Sequence, residues 1–283
     1  MKKGINIWSF KAGTSAKESI IMAKEAGFQG IELALAETGE VSLESSKKEL
    51  LELKNFAFEN NVELPSLATG LYWSYALTSE NKTNRNKAKD IVKKQLETAE
   101  ILGANTILVV PGAVGVDFIS GCEVVSYDKA YDNALEALTE LKATAESYNV
   151  SIGIENVWNK FLLSPLEMRN FIDTVNSPFV GSYFDVGNVM YSGYPEQWIR
   201  ILGKRIKKLH FKDYRRSVGT LSGFVDLLAG DVDYPEVMKA LQEIGYTDYA
   251  FAEMIPNYTH HTNQIVFNTS SSMDIIFGNN PRK

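Results

Sequence analysis

The sequence predicts an α/β protein, a single (β/α)8 barrel spanning residues 1–283. Three observations carry that expectation. Short β-prone apolar runs alternate with longer segments of helical periodicity. The alternation repeats eight times in 283 residues, close to the roughly 250 that one such barrel needs. Several of the short runs are apolar without interruption, as strands covered by helices on both faces must be. A doubly wound open sheet is the alternative, but no glycine-rich dinucleotide fingerprint follows the first strand. No linker, low-complexity block or domain boundary interrupts the rhythm.

The elements run in order. GINIWS (4–9) reads as strand one. TSAKESIIMAKEAG (14–27) is a helix that Thr14 or Ser15 can cap and Gly27 stops. QGIELAL (29–35) is strand two, and the helix over 42–61 takes Ser42 as its cap. VELPSLAT (62–69) is strand three despite Pro65, a residue that interior strands avoid. A helix over 86–103 leads to strand four, NTILVVPG (105–112), which Pro-Gly closes. The helix over 126–149 sets Tyr131, Ala134, Leu135, Leu138, Leu141 and Ala145 on one face. VSIGIEN (150–156) is strand five, and Ser164-Pro165 starts the next helix, with proline at its first position. Strand six (180–188), a helix (194–204), strand seven (206–213), a helix (234–245), strand eight (248–254) and a weaker helix over 262–278 complete the series. The longest irregular stretches are 70–85 and 214–233.

Composition narrows the function. A net charge of −6 lacks the basic footprint of a nucleic-acid surface. One cysteine, Cys122, excludes an internal disulfide and a multi-cysteine zinc site, and reads as an inert thiol. No apolar run is long enough for a membrane span or a signal peptide, so the cytoplasm is the expected compartment.

The chemistry is expected at the C-terminal ends of the strands. Strands five to eight end in Glu155, Asp185, His210 and Glu253. Side chains alternate along a strand, so apolar neighbours such as Leu209 and Phe211 face the helices and the polar residue between them faces the barrel axis. Three carboxylates meeting there repel one another unless a cation intervenes. With one imidazole they suit an open-sided Mn²⁺, Co²⁺, Zn²⁺ or Mg²⁺ site. Taken singly, each residue also suits a cap, a salt bridge or a satisfied core group.

IGIEN, FDVGN, LHFKD and FAEM on successive strands resemble the sugar phosphate isomerase/epimerase superfamily with its xylose isomerase-like barrel. AKEAGFQGIELAL, AEILGANTILVVPG and GDVDYPEVMKALQEIGY extend the likeness over nearly the whole chain. The resemblance implies that Glu155, Asp185, His210 and Glu253 bind one divalent metal. It implies a metal-dependent epimerase or isomerase acting on a ketose or its phosphate through a cis-enediolate, with Glu155 and Glu253 as the acid/base pair. Asn188 stands where free-ketose epimerases of the family commonly have a histidine, so it can bind a hydroxyl but cannot shuttle a proton. Arg215 matches a family arginine, with Arg216 beside it.

Trp8, Tyr72, Trp73 and Trp158 are candidates for an aromatic sugar wall, while Glu32 and Asn159 are candidates for polar contacts. Arg215, Arg216, Lys82 and Arg85 could face a phosphate. His260 and His261 read as surface loop. Three rivals stay open: an inosose-type dehydratase of the same fold, a non-catalytic sugar-binding barrel, and a Schiff-base enzyme using Lys208 or Lys212. A DNA-repair endonuclease of this barrel type needs more histidines than the three present. The expected partner is a small sugar or sugar phosphate rather than nucleic acid or membrane. Association into a homo-oligomer is left open.

Overall fold

The computed structural model describes residues 1–279. Eight parallel strands close into a barrel in the order 1-8-7-6-5-4-3-2. They are Lys2–Asn6, Gly30–Leu35, Glu63–Thr69, Thr106–Val109, Ser151–Glu155, Val180–Asp185, Ile206–Phe211 and Tyr249–Ala252. Each is followed by a helix: Ala16–Glu25, Lys47–Glu59, Lys82–Leu102, Tyr127–Tyr148, Pro165–Val175, Pro195–Leu202, Tyr234–Glu243 and Gln264–Ile276. Among the described residues, no helix is long and apolar enough to cross a membrane.

Local chemistry explains where the boundaries depart from expectation. Strand one stops at Asn6, because the Asn6 side chain accepts the Trp8 amide and folds Ile7–Ser9 into a 3-10 turn. The second helix starts at Lys47, not near Ser42. Ser46 and Glu49 form a capping box there, an arrangement worth about 1 kcal/mol, while Ser42 is buried in a loop against Ser45. The third helix begins at Lys82, capped by Asn81, so it takes in the end of the 70–85 stretch. Pro65 fits strand three because the pairing with strand two slips between Gly30 and Glu32, leaving a bulge that needs no ladder donor. Strand seven ends at Phe211, and Asp213–Tyr214 then pairs antiparallel with Phe224–Val225. Asp213 organises that loop by accepting four backbone N–H bonds, from Tyr214, Leu228, Gly230 and Val232.

Barrels of this class usually fill their interior with branched apolar side chains. Here Asn6, Glu32, Ser66, Tyr183 and His210 are joined by hydrogen bonds inside it, all of them buried. Glycines make room for the larger neighbours: a Cβ on Gly4 would sit 2.4 Å from the Phe251 ring. Lys208 shares His210's face, fully buried, and its ammonium pairs with Asp248 just before strand eight. Lys208 therefore lies deep in the barrel, away from the mouth.

Removing one partner of a buried ion pair leaves the other charge uncompensated, whereas replacing both is often tolerated. Asp248→Ala should cost about 2 kcal/mol, less than a fully buried pair because Asp248 is partly exposed. Adding Lys208→Met should recover most of that loss. Urea denaturation of both variants checks this, and equal stability of Asp248→Ala and the unchanged protein would sink it.

Candidate metal centre and its cavity

Glu155 and Asp185 are the last residues of their strands, His210 is the penultimate residue of strand seven, and Glu253 lies one residue past strand eight. One ligand atom from each of the four falls within 4.8 Å of all the others. His210 Nδ1 is 3.1 Å from Glu155 Oε1, 3.4 Å from Glu253 Oε2 and 3.8 Å from Asp185 Oδ2. All four side chains are buried.

Beneath the cluster, His210 Nε2 meets Glu32 Oε2 at 2.7 Å. Glu32 is anchored from three sides: it accepts from Asn6 Nδ2 at 2.5 Å, Ser66 Oγ at 2.6 Å and the Tyr183 hydroxyl at 2.5 Å. An imidazole that gives its Nε2 proton to Glu32 keeps a lone pair on Nδ1, the nitrogen facing the three carboxylates. Metal-binding histidines are commonly oriented by this kind of outer carboxylate.

Charges crowd this small space. Burial pushes the Glu155 carboxyl up to about 7, against the pull of His210. Burial likewise raises Asp185. For Glu253, burial is outweighed by the Lys212 and His210 cations, which bring it down to about 2. Burial alone would lower the His210 pKa, but Glu32 and Glu253 hold it well above the usual imidazole range. A bound dication would favour the ionised carboxylates and a neutral imidazole.

The donor set fits such an ion. Asp185 Oδ1 accepts the Asn188 amide at 2.7 Å, while Asp185 Oδ2 and Glu253 Oε2 are buried without a hydrogen-bond donor. The Lys212 ammonium stands within ion-pair range of both oxygens, 3.1 Å from Asp185, but not in hydrogen-bonding geometry. Hard carboxylate oxygens with one imidazole suit Mn²⁺, Co²⁺, Zn²⁺ or Mg²⁺. Burial disfavours the Lys212 cation, yet Asp185 and Glu253 raise its pKa. A Schiff-base lysine has to lose its proton first, so this environment counts against that rival.

The cluster opens into a cavity of about 600 Å³ lined by Glu155, Glu253, Lys212, Asn188 and the rings of Trp8, Trp73, Phe118, Trp158 and Phe224. Other candidates lie elsewhere. Tyr72 is buried and donates to Gln95 Oε1. Asn159 is buried, its amide donating to the Gly112 carbonyl and accepting from the Phe161 amide. Arg215 Nε donates to the Ala229 carbonyl, and Arg216 stacks on Tyr194 while donating to the Gly193 carbonyl. Arg85 donates to the Ser79 and Glu80 carbonyls, and Lys82 is exposed in the first turn of its helix. His260 and His261 are exposed.

The model of the xylose isomerase-like TIM barrel family matches residues 20–266. The chain belongs to that family. Among curated members, the L-ribulose-5-phosphate 3-epimerase UlaE of Escherichia coli O157:H7 is 24% identical over 262 residues, covering 89% of this chain and 86% of its own. The putative L-ribulose-5-phosphate 3-epimerase SgbU of Haemophilus influenzae is 24% identical over 244 residues, with 84% and 83% covered. D-psicose 3-epimerase from Clostridium cellulolyticum H10, solved with D-tagatose, superposes with a TM-score of 0.80 at 18% identity, covering 98% of this chain and 99% of its own. The IOLI protein, solved with a zinc atom, has a TM-score of 0.81 at 20% identity, with 99% of each chain covered.

Within this family frame, two contacts escape a strand-end reading. Glu32 was visible as an acid near the end of strand two, but its partner 178 residues away was not. Lys212 was visible by its parity with His210, whereas its pairing with Asp185 and Glu253 depends on the barrel's closure. Glu32→Gln should keep the fold by circular dichroism and weaken divalent-metal affinity about 10–100-fold. Competition with a chromophoric chelator measures this, and unchanged affinity would remove Glu32 from the orienting role.

Proposed function

We propose that the chain is a divalent-metal-dependent ketose epimerase or isomerase that moves a proton on the carbon beside a carbonyl. One observation carries the reading: two buried glutamates, Glu155 and Glu253, flank one imidazole and line the same cavity. Family relatives named as L-ribulose-5-phosphate 3-epimerases support it, as does a structural neighbour solved with a ketose.

In this reading Glu155, Asp185, His210 and Glu253 hold the metal. When bound, the metal supplies Lewis acidity that stabilises negative charge on the substrate's oxygens. One glutamate takes the proton from the carbon next to the carbonyl, and the C–H electron pair moves toward the carbonyl oxygen, giving an enediolate. The other returns a proton. Delivery to the opposite face of the same carbon gives the epimer, and delivery to the neighbouring carbon gives the aldose–ketose isomer. Positioned carboxylates contribute about 10²–10⁴-fold each to such transfers. Trp8, Trp73 and Trp158 wall the cavity against water. Asn188 lines it as well, although its Nδ2 is engaged by the Asn156 carbonyl at 2.9 Å. The Lys212 ammonium, beside Glu253, faces the same space and adds positive charge where an oxyanion would develop.

Incubation with Mn²⁺ in D₂O over a panel of ketoses and their phosphates should place deuterium on carbon. Glu155→Gln and Glu253→Gln should each lower the rate by at least about 10²-fold. No exchange across the panel, with metal demonstrably bound, would defeat the proposal, while a product lighter by one water would assign dehydratase chemistry instead.

A further inference from the structure

Beside the metal cavity lies a second concavity of about 550 Å³, bounded by the loops that follow strands four to seven. The two share Phe118, Val157, Trp158, Asn188, Leu221 and Ser222 in their linings, so they adjoin, with Trp158 between them. Trp158 is held in place. Its Nε1 donates to the Asn188 carbonyl at 2.9 Å, and its ring packs against Tyr191, Tyr214 and Phe224 at centroid distances of 5.2–5.5 Å.

The character of the groove is apolar. Buried Phe161, Leu162, Val189 and Trp198 line it, so it reaches into the core. At its edges Phe118, Leu163, Tyr191 and Leu221 are 45%, 62%, 61% and 43% exposed. Four large apolar side chains from four different loops thus face water around one depression, and such patches mark binding surfaces. Lys160, the ammonium in its lining, pairs with Asp117 at 2.5 Å.

We propose that the substrate's ketose unit carries an apolar substituent, aromatic or branched alkyl, that occupies this groove. The proposal rests on the reading of the metal cavity as the ketose site. Size supports it, because each compartment falls in the roughly 300–1,000 Å³ range of pockets for drug-sized ligands. A lone monosaccharide at Glu155 and Glu253 would leave the groove unfilled. Position favours a substituent over a second copy of the chain, since the groove reaches buried Phe161, Leu162, Val189 and Trp198 and adjoins the metal cavity through six shared residues.

The test compares the phenyl and methyl glycosides of a hexopyranosid-3-ulose, which differ only in the apolar group, by calorimetric titration into the Mn²⁺-loaded full chain. The phenyl compound should bind at least 10-fold tighter. Leu163→Asp and, separately, Leu163→Ser should erase most of that gain and leave methyl-glycoside affinity within 2-fold. Leu163 is exposed and lies outside the lining of the metal cavity, and thermal denaturation verifies that the variants fold. Affinities that agree within 2-fold, absence of binding by both compounds, or a phenyl gain untouched by either substitution would overturn the proposal. So would sedimentation showing that the substitutions dissociate a dimer while the phenyl gain persists. Deuterium exchange separates this inference from the function it rests on. Exchange without a phenyl gain refutes the substituent alone, and a phenyl gain without exchange refutes the proton-transfer reading alone.

Discussion

The contact between His210 Nε2 and Glu32 Oε2 is the constraint on which the site depends. It lies inside the barrel, where an unpaired charge is costly and a half-satisfied polar network is worse than an apolar core. Glu32 is fully buried, and Asn6, Ser66 and Tyr183 supply the donors that make its burial tolerable. The Tyr183 ring also leans over the imidazole, with centroids 4.7 Å apart. Together these contacts leave His210 one orientation, with Nδ1 toward Glu155, Asp185 and Glu253.

Such a polar interior departs from the usual layers of branched aliphatic residues. Its stability comes from pairing at both ends. Toward the N-terminal ends of the strands Lys208 meets Asp248, and at the mouth Lys212 meets Asp185 and Glu253. Between them, small residues on some strands face large ones on others, as Gly4 faces Phe251 and Gly153 faces Tyr183. The hydrophobic stabilisation is carried mostly outside this interior, by strand residues such as Leu209, Phe211 and Ile154 buried toward the helices.

The division of labour between strands and loops follows. Strand ends hold the charged groups in fixed register, for example Asp185 opposite His210, where the backbone is rigid. The loops contribute the aromatic and aliphatic surfaces that shape the cavity and the adjoining groove. Family membership accounts for the barrel on which both parts are mounted. At 15–21% identity, the structural neighbours share the barrel fold.

The alternation of apolar runs and helical segments sufficed to determine the barrel, because eight βα units with two-sided burial have few other ways to close. Parity along strands five to eight likewise determined that Glu155, Asp185, His210 and Glu253 share an inward face, since that follows from backbone geometry alone. Local capping was less legible: Ser42 and Ser46 both precede the second helix, and Glu49 decides for Ser46. The tertiary structure alone decided which distant groups meet. Glu32 beneath His210, Lys212 across Asp185 and Glu253, and Lys208 with Asp248 all join residues on different strands, and their pairing depends on how the sheet is staggered as it closes. The sequence prescribes which face each side chain takes, but the height at which two faces meet is set by the closure of the whole barrel.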